Sequence, residues 1–150
     1  MSLDAYNSIP FTGTYRHGVD SKNRMTIPAD WRSGEEGLLY VRLHSSGTHA
    51  IAMSPRMLEQ RIAELETAEG SAGQRATWVR LFASSAQRCC VDKQGRMVLP
   101  PELCQKAGLQ GEVLLLGAMK EFQLWNTERW SAQQAAEEAG HQDLANLLGI

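Results

Sequence analysis

A basic surplus is missing from this sequence: 17 Asp and Glu outnumber 15 Lys and Arg, for a formal charge of -2. Proteins that coat nucleic acid without regard to sequence carry a clear cationic excess. That class is excluded, and any nucleic-acid contact must be local. Cysteine is scarce as well. Cys89, Cys90 and Cys104 are odd in number and two are adjacent, unlike the even, spaced framework of secreted disulfide scaffolds. The pattern points to a reducing cytoplasm, with the thiols buried or half-buried. The longest near-apolar run, Val113 to Met119, is far below the ~20 residues a membrane helix needs. Met1 to Pro10 carries Asp4 and has neither a basic start nor an apolar stretch, so no signal peptide is expected.

The residue sets that catalysis needs are absent too. His17, His44, His49 and His141 show no His-x-x-x-His spacing, and the cysteines form no Cys-x-x-Cys pair. There is no Gly-rich phosphate loop and no Gly-x-Ser-x-Gly. No enzyme, metal site or cofactor is expected.

What the sequence does contain is a phrase written twice. VDSKNRMTIP begins at Val19 and VDKQGRMVLP at Val91, so that Asp20, Arg24, Met25 and Pro28 stand over Asp92, Arg96, Met97 and Pro100 at a constant offset of 72. Each Pro leads into a short helical segment, PADWRS or PPELCQKAG, then an apolar β-like run, LLYVRL or VLLLGA. A turn and a second apolar segment follow, HAIAM or EFQLWN, and each half closes with a helix starting near Ser54-Pro55 or Asn126-Thr127. Each half therefore reads as strand, tight turn, strand, short helix, strand, turn, strand, long helix, an internal duplication.

In the first half Leu58, Ile62 and Leu65 recur at helical spacing, GSAG from Gly70 breaks the helix, and Trp78, Leu81 and Phe82 mark a second. These stripes are expected to pack into the core. After Trp130 the Ala, Gln and Glu run is helical by propensity, with a break expected at Gly140. Beyond it Leu144, Leu147 and Leu148 share a face that docks on its own domain or on a neighbour. A linker as short as GSAG does not hold domains apart, so the halves are expected to share one core.

The repeated phrase has a physical reading. Asp20 and Asp92 open turns in which a carboxylate accepts backbone N–H bonds, and Asn23 and Gly95 supply the positive φ. Arg24 and Arg96 follow four residues after each Asp, within reach of an ion pair that locks the turn. Lys22 and Lys93 lie inside the turns, with Arg16, His17 and Arg88 upstream. Acidic residues collect elsewhere, at Glu59, Glu64, Glu66 and Glu69 and at Glu128, Glu137, Glu138 and Asp143. An acidic chain can thus present a basic face, and several copies would add their faces together. Arginine suits DNA because its planar fork bonds bidentately to phosphate or to guanine.

With these motifs the chain resembles the MraZ family of bacterial transcriptional regulators, within the AbrB-like, swapped-hairpin DNA-binding superfamily. The resemblance runs from Phe11 to about Trp130, through FTGTYRHGVDSKNRMTIPADWR, VRLFASSAQRCCVDKQGRMVLPPELCQKAGL and LWNTERW. Asn23 stands where the family pattern has Gly. The resemblance implies an α+β fold: a β-rich swapped-hairpin barrel of two duplicated β-α-β-type halves with flanking helices. It places the repeats at 11–69 and 74–130, with an N-terminal extension at 1–10, and leaves the segment at 131–150 as the C-terminal helical tail read above from its composition. It further implies a homo-oligomeric ring in the cytoplasm, at the nucleoid, that binds double-stranded DNA repeats in the promoter of the cell-division and cell-wall gene cluster, its own gene included. By position, Arg24 and Arg96 become the leading DNA contacts, Lys22 and Lys93 their helpers, and Asp20, Asp92, Asn23 and Gly95 the turn organisers. The rival reading is an antitoxin-like or protein-interaction module of the same fold class.

Overall fold

The computed structural model describes residues 10–32 and 37–150. Apart from Pro10, the extension read at 1–10 lies outside them. In chain order the strands are β1 (Thr14–Val19), β2 (Arg24–Thr26), β3 (Gly37–Leu43), β4 (Ala50–Met53), β5 (Gln87–Val91), β6 (Arg96–Val98), β7 (Gly111–Gly117) and β8 (Glu121–Asn126). The helices are α1 (Pro55–Glu66), α2 (Ala72–Ser85), α3 (Pro101–Ala107) and α4 (Thr127–Leu148), with a 3-10 turn at Ala29–Trp31. The fold is mixed α and β. Six strands form an antiparallel sheet in the order β1-β7-β8-β4-β3-β5, while β2 and β6 form a separate two-stranded ladder.

The pairing interleaves the two copies of the repeat. β1 pairs with β7, its counterpart β5 pairs with β3, and β4 and β8 pair with each other. The ladder is centred on Met25 opposite Met97, flanked by Arg24 opposite Val98 and Thr26 opposite Arg96. Each of these pairings maps onto itself or its partner when the halves are exchanged. Neither half completes its own sheet.

Strand alternation explains how one sheet serves two apolar layers, since successive side chains leave opposite faces. Along β4, Ala50 and Ala52 enter the main core, whereas Ile51 and Met53 pack with Met57, Tyr40, Leu58 and Phe82 beneath α1 and α2. The main core draws on both halves. Trp31 and Phe122 lie with ring centroids 4.9 Å apart and Phe11 meets both edge-on, at 5.5 Å and 5.0 Å. The Trp31 indole N–H donates to the Thr12 carbonyl at 2.9 Å, satisfying the ring's polar edge.

Local chemistry sets the helix starts. Ser54 caps α1 by accepting from the Met57 N–H, with Pro55 at the first helical position. Ser71 and Gln74 form a reciprocal capping box on α2, and the Asn126 side chain accepts from the Glu128 and Arg129 N–H groups at the head of α4.

Four expectations need correction. The segment after Pro28 makes only a 3-10 turn, although Trp31 fills the core as its counterpart Leu103 does from α3. The helix stripes are core only in part: Leu58 and Phe82 pack against Ile51, Met53 and Met57, but α1 fully buries only Met57, α2 fully buries nothing, and Leu81 is 58% exposed. The two helices form a hairpin laid on one side of the sheet, which leaves their outer flanks uncovered. No break occurs at Gly140, for α4 runs from Thr127 to Leu148. Glycine costs only about 1 kcal/mol inside a helix. Side-chain bonds from Gln133 to Glu137 and from Gln142 to Asn146 flank the site. Finally, Cys89 and Cys104 are buried but Cys90 is exposed, because alternation along β5 turns it outward.

Candidate nucleic-acid interface

Both copies of the phrase fold into the same three-residue hairpin loop. In the first, Asn23 N–H donates to the Asp20 carbonyl at 2.9 Å and Asp20 N–H to the Arg24 carbonyl at 3.1 Å. In the second, Gly95 N–H donates to Asp92 and Asp92 N–H to Arg96, both at 2.9 Å. A type I turn followed by one left-handed residue makes this loop, and the left-handed residues are Asn23 at φ 61° and Gly95 at φ 79°. Asparagine tolerates that region and glycine enters it freely.

The Asp side chains tie each loop from inside. Asp20 Oδ1 accepts from the backbone N–H groups of Lys22 and Arg24, and Oδ2 accepts from Arg24 Nε at 2.8 Å. Asp92 repeats the pattern with Gln94, Arg96 and Arg96 Nε, the last at 3.2 Å. Backbone N–H donation from Arg24 and Arg96 is the main cause that holds both carboxyls below the usual range.

The ladder then brings the two arginines together. Residues opposite one another in an antiparallel pair share a face, so Arg24, Thr26, Arg96 and Val98 point one way and Met25 and Met97 the other. Burial agrees: the methionines are buried, the arginines exposed and Val98 57% exposed. At ~3.4 Å per residue the arginines stand about 7 Å apart along the strands.

The charge is modest. Lys22 and Arg24 oppose Asp20, and Lys93 and Arg96 oppose Asp92, leaving one net cation per turn. Lys22 and Lys93 are exposed but occupy different turn positions, since the residue over Lys22 is Gln94. Arg16 does not add to the patch, because it pairs with Glu112 at 2.9 Å. Arg88 sits on β5 opposite Tyr40. The arginine forks also differ in occupancy. Arg24 bonds through Nε only among the described residues, whereas Arg96 Nη2 also donates to Gln94 Oε1 at 2.7 Å.

Sequence reasoning missed Thr26 and Val98, although the offset that aligned the arginines aligns these two as well. It also missed Arg32, which reaches the second turn from 62 positions away. No local signal marks that contact.

Comparison with known proteins gives this interface its context. The curated "Transcriptional regulator MraZ" of Halothermothrix orenii is 34% identical over 142 residues, covering 92% of this chain and 96% of that protein. The chain belongs to the MraZ family. Its MraZ relatives of the same printed name from Natranaerobius thermophilus and Acidithiobacillus ferrooxidans are 31% and 34% identical, over 92% and 91% of this chain and 96% of each relative. A family model described as "MraZ protein, putative antitoxin-like" matches residues 82–148. That span contains the second turn, and the full-length relatives extend the likeness across the first.

Proposed function

We propose that this MraZ-family chain is a sequence-specific DNA-binding transcriptional regulator that reads promoter repeats through two basic turns per copy. The observation that carries the reading is the shared outer face of the β2–β6 ladder, where Arg24 and Arg96 stand diagonally across from one another over a buried Met25 and Met97. A two-stranded ribbon is narrow enough to enter the major groove, where an arginine fork matches guanine O6 and N7. Asp20, Asp92, Asn23 and Gly95 hold the turns, Arg24 and Arg96 lead the contact, and Lys22 and Lys93 neutralise phosphate. The family names of the relatives support the same direction.

One net cation per turn gives weak binding to a single chain, so the proposal includes a homo-oligomeric ring that presents many turns to spaced repeats. The target proposed is the promoter of the cell-division and cell-wall gene cluster, including the regulator's own gene, in the cytoplasm at the nucleoid. The proposal also takes the β2–β6 ladder as the closure of β1 and β5 into an AbrB-like swapped-hairpin barrel, with repeats at 11–69 and 74–130 on one core. The experiment is fluorescence anisotropy with duplex from upstream of the gene against scrambled duplex, paired with sedimentation to count subunits. A preference for the native duplex and an oligomer larger than a dimer support the reading; no preference overturns it.

A second reading has one observation in its favour. Leu144, Leu147, Leu148 and Ile150 form an exposed apolar end to α4, which suits a protein partner of the antitoxin-like or scaffold kind. Absence of DNA preference would move the assignment there.

A further inference from the structure

The two turns are built alike and held differently. Their backbones are tied symmetrically to the ladder: Leu99 N–H donates to the Asn23 carbonyl at 2.8 Å and Ile27 N–H to the Gly95 carbonyl at 2.7 Å. Among the described residues, only the second turn carries a further support. Arg32 Nη1 donates to the Gln94 carbonyl at 2.6 Å, and its stem and guanidinium lie against Gly95 so closely that a Cβ there would overlap them. At the offset of 72 the residue over Arg32 is Cys104, which is buried in the core and reaches no turn.

The base of this support is rigid. Arg32 follows the 3-10 turn, its N–H donating to the Ala29 carbonyl at 3.1 Å, and the preceding Trp31 is locked among Phe11, Tyr15 and Phe122. A side chain anchored in the core of one half thus ends under the loop of the other. The contact also accounts for the one residue in which the loops differ at their left-handed position. Glycine at 95 leaves room for the Arg32 guanidinium.

We propose that Arg32 is a positioning residue for the second turn, fixing the Gln94–Gly95 backbone so that Arg96 is presented in one orientation while Arg24 is presented by a turn without that brace. The proposal rests on the DNA-binding reading of the two turns. It makes the two arginines unequal: the second is pre-organised, and the first keeps its two terminal nitrogens unbonded among the described residues. Pre-organised groups lose less freedom on binding, so the second turn carries the larger share of discrimination between duplexes.

The test uses the full-length chain and Arg32→Met, which keeps the stem and removes the donor and charge, beside Arg32→Lys, which keeps the charge. Amide exchange in the absence of DNA reads the brace itself. Arg32→Met should speed exchange at Ile27, whose partner is the Gly95 carbonyl, and leave Leu99, whose partner is the Asn23 carbonyl, unchanged. Equal acceleration at both amides, or none, would overturn the brace.

Duplex affinity reads its consequence. Arg32→Met should weaken binding about tenfold in the wild type and in an Arg24→Ala background, and have no added effect on Arg96→Ala. Rescue by Arg32→Lys should be partial. An undiminished loss in the Arg96→Ala background means that Arg32 does not act through Arg96, which refutes the positioning role. Should Arg24→Ala/Arg96→Ala bind DNA as the wild type does, the DNA reading fails, and the exchange result still decides the brace.

Discussion

Met25 lies directly opposite Met97 at the centre of the β2–β6 ladder, each 1% exposed, on the axis that exchanges the two halves. That relationship fixes which way the neighbouring residues point. With the methionines inside, Arg24 and Arg96 have no choice but the outer face, so the orientation of the arginines is a consequence of core packing.

Truncating either methionine should therefore damage the fold. Met25→Ala or Met97→Ala is expected to cost about 2–5 kcal/mol, the usual range for emptying a well-packed methionine site. Urea denaturation checks this, and a loss well below 1 kcal/mol would show that the ladder is not anchored by this pair.

The loops should respond unequally to the same change. Gly95→Ala places a Cβ at positive φ, worth about 1–2 kcal/mol, and also evicts the Arg32 guanidinium, whereas Asn23→Gly should be close to neutral. Denaturant midpoints for the two variants decide it. A Gly95→Ala protein as stable as the wild type would contradict the contact with Arg32.

Much of this was legible in the residues. The offset of 72 exposed the duplication, the Asp-x-x-Asn/Gly-Arg spacing specified a turn with one left-handed residue, and Ser54 and Asn126 announced helix starts through their capping side chains. These are local signals. What escaped was non-local: that β1 pairs with β7 and β5 with β3, and that Arg32 reaches across to Gln94, depend on how the halves interleave. The burial of α2 was overestimated because periodicity reports which face is apolar and says nothing of how much surface covers it. Gly140 misled because its cost is small beside the helical preference of the residues around it.

His49 should give the stability a mild acid limb. Its ring is stacked between His44 at 4.5 Å and Trp125 at 4.1 Å, and burial, then the neighbouring His44, push its pKa from the ordinary 6.5 down to about 4. The unfolded chain takes up a proton near 6.5 that the folded chain refuses until about 4. Stability from this site is therefore full above 6.5 and falls as pH drops through the interval to 4. Asp20 and Asp92, held below the usual carboxylate range, lose their contribution only at lower pH. Thermal melts from pH 7 to pH 4.5 should show the decline, flattened in His49→Gln; an identical slope in the variant would assign the limb elsewhere.

Thiol chemistry should separate the three cysteines. Burial raises the Cys104 thiol and pushes Cys89 up to about 12, while Cys90 faces solvent. Only the thiolate reacts, so a chromogenic disulfide reagent should label one thiol quickly in the native chain and all three after unfolding. Cys90→Ser should remove the fast phase, and a second fast thiol in that variant would contradict the burial of Cys89 and Cys104.

The central claim is that Arg24 and Arg96 contact DNA from the outer face of the ladder. Its most direct test compares the wild type with Arg24→Ala/Arg96→Ala on the native upstream duplex across a salt series, with circular dichroism and sedimentation confirming that fold and assembly are kept. Each phosphate contact removed should flatten the slope of log affinity against log salt by about 0.9. The account predicts a shallower slope and loss of preference over scrambled duplex in a folded, assembled variant. Unchanged affinity, slope and preference in that variant would contradict it.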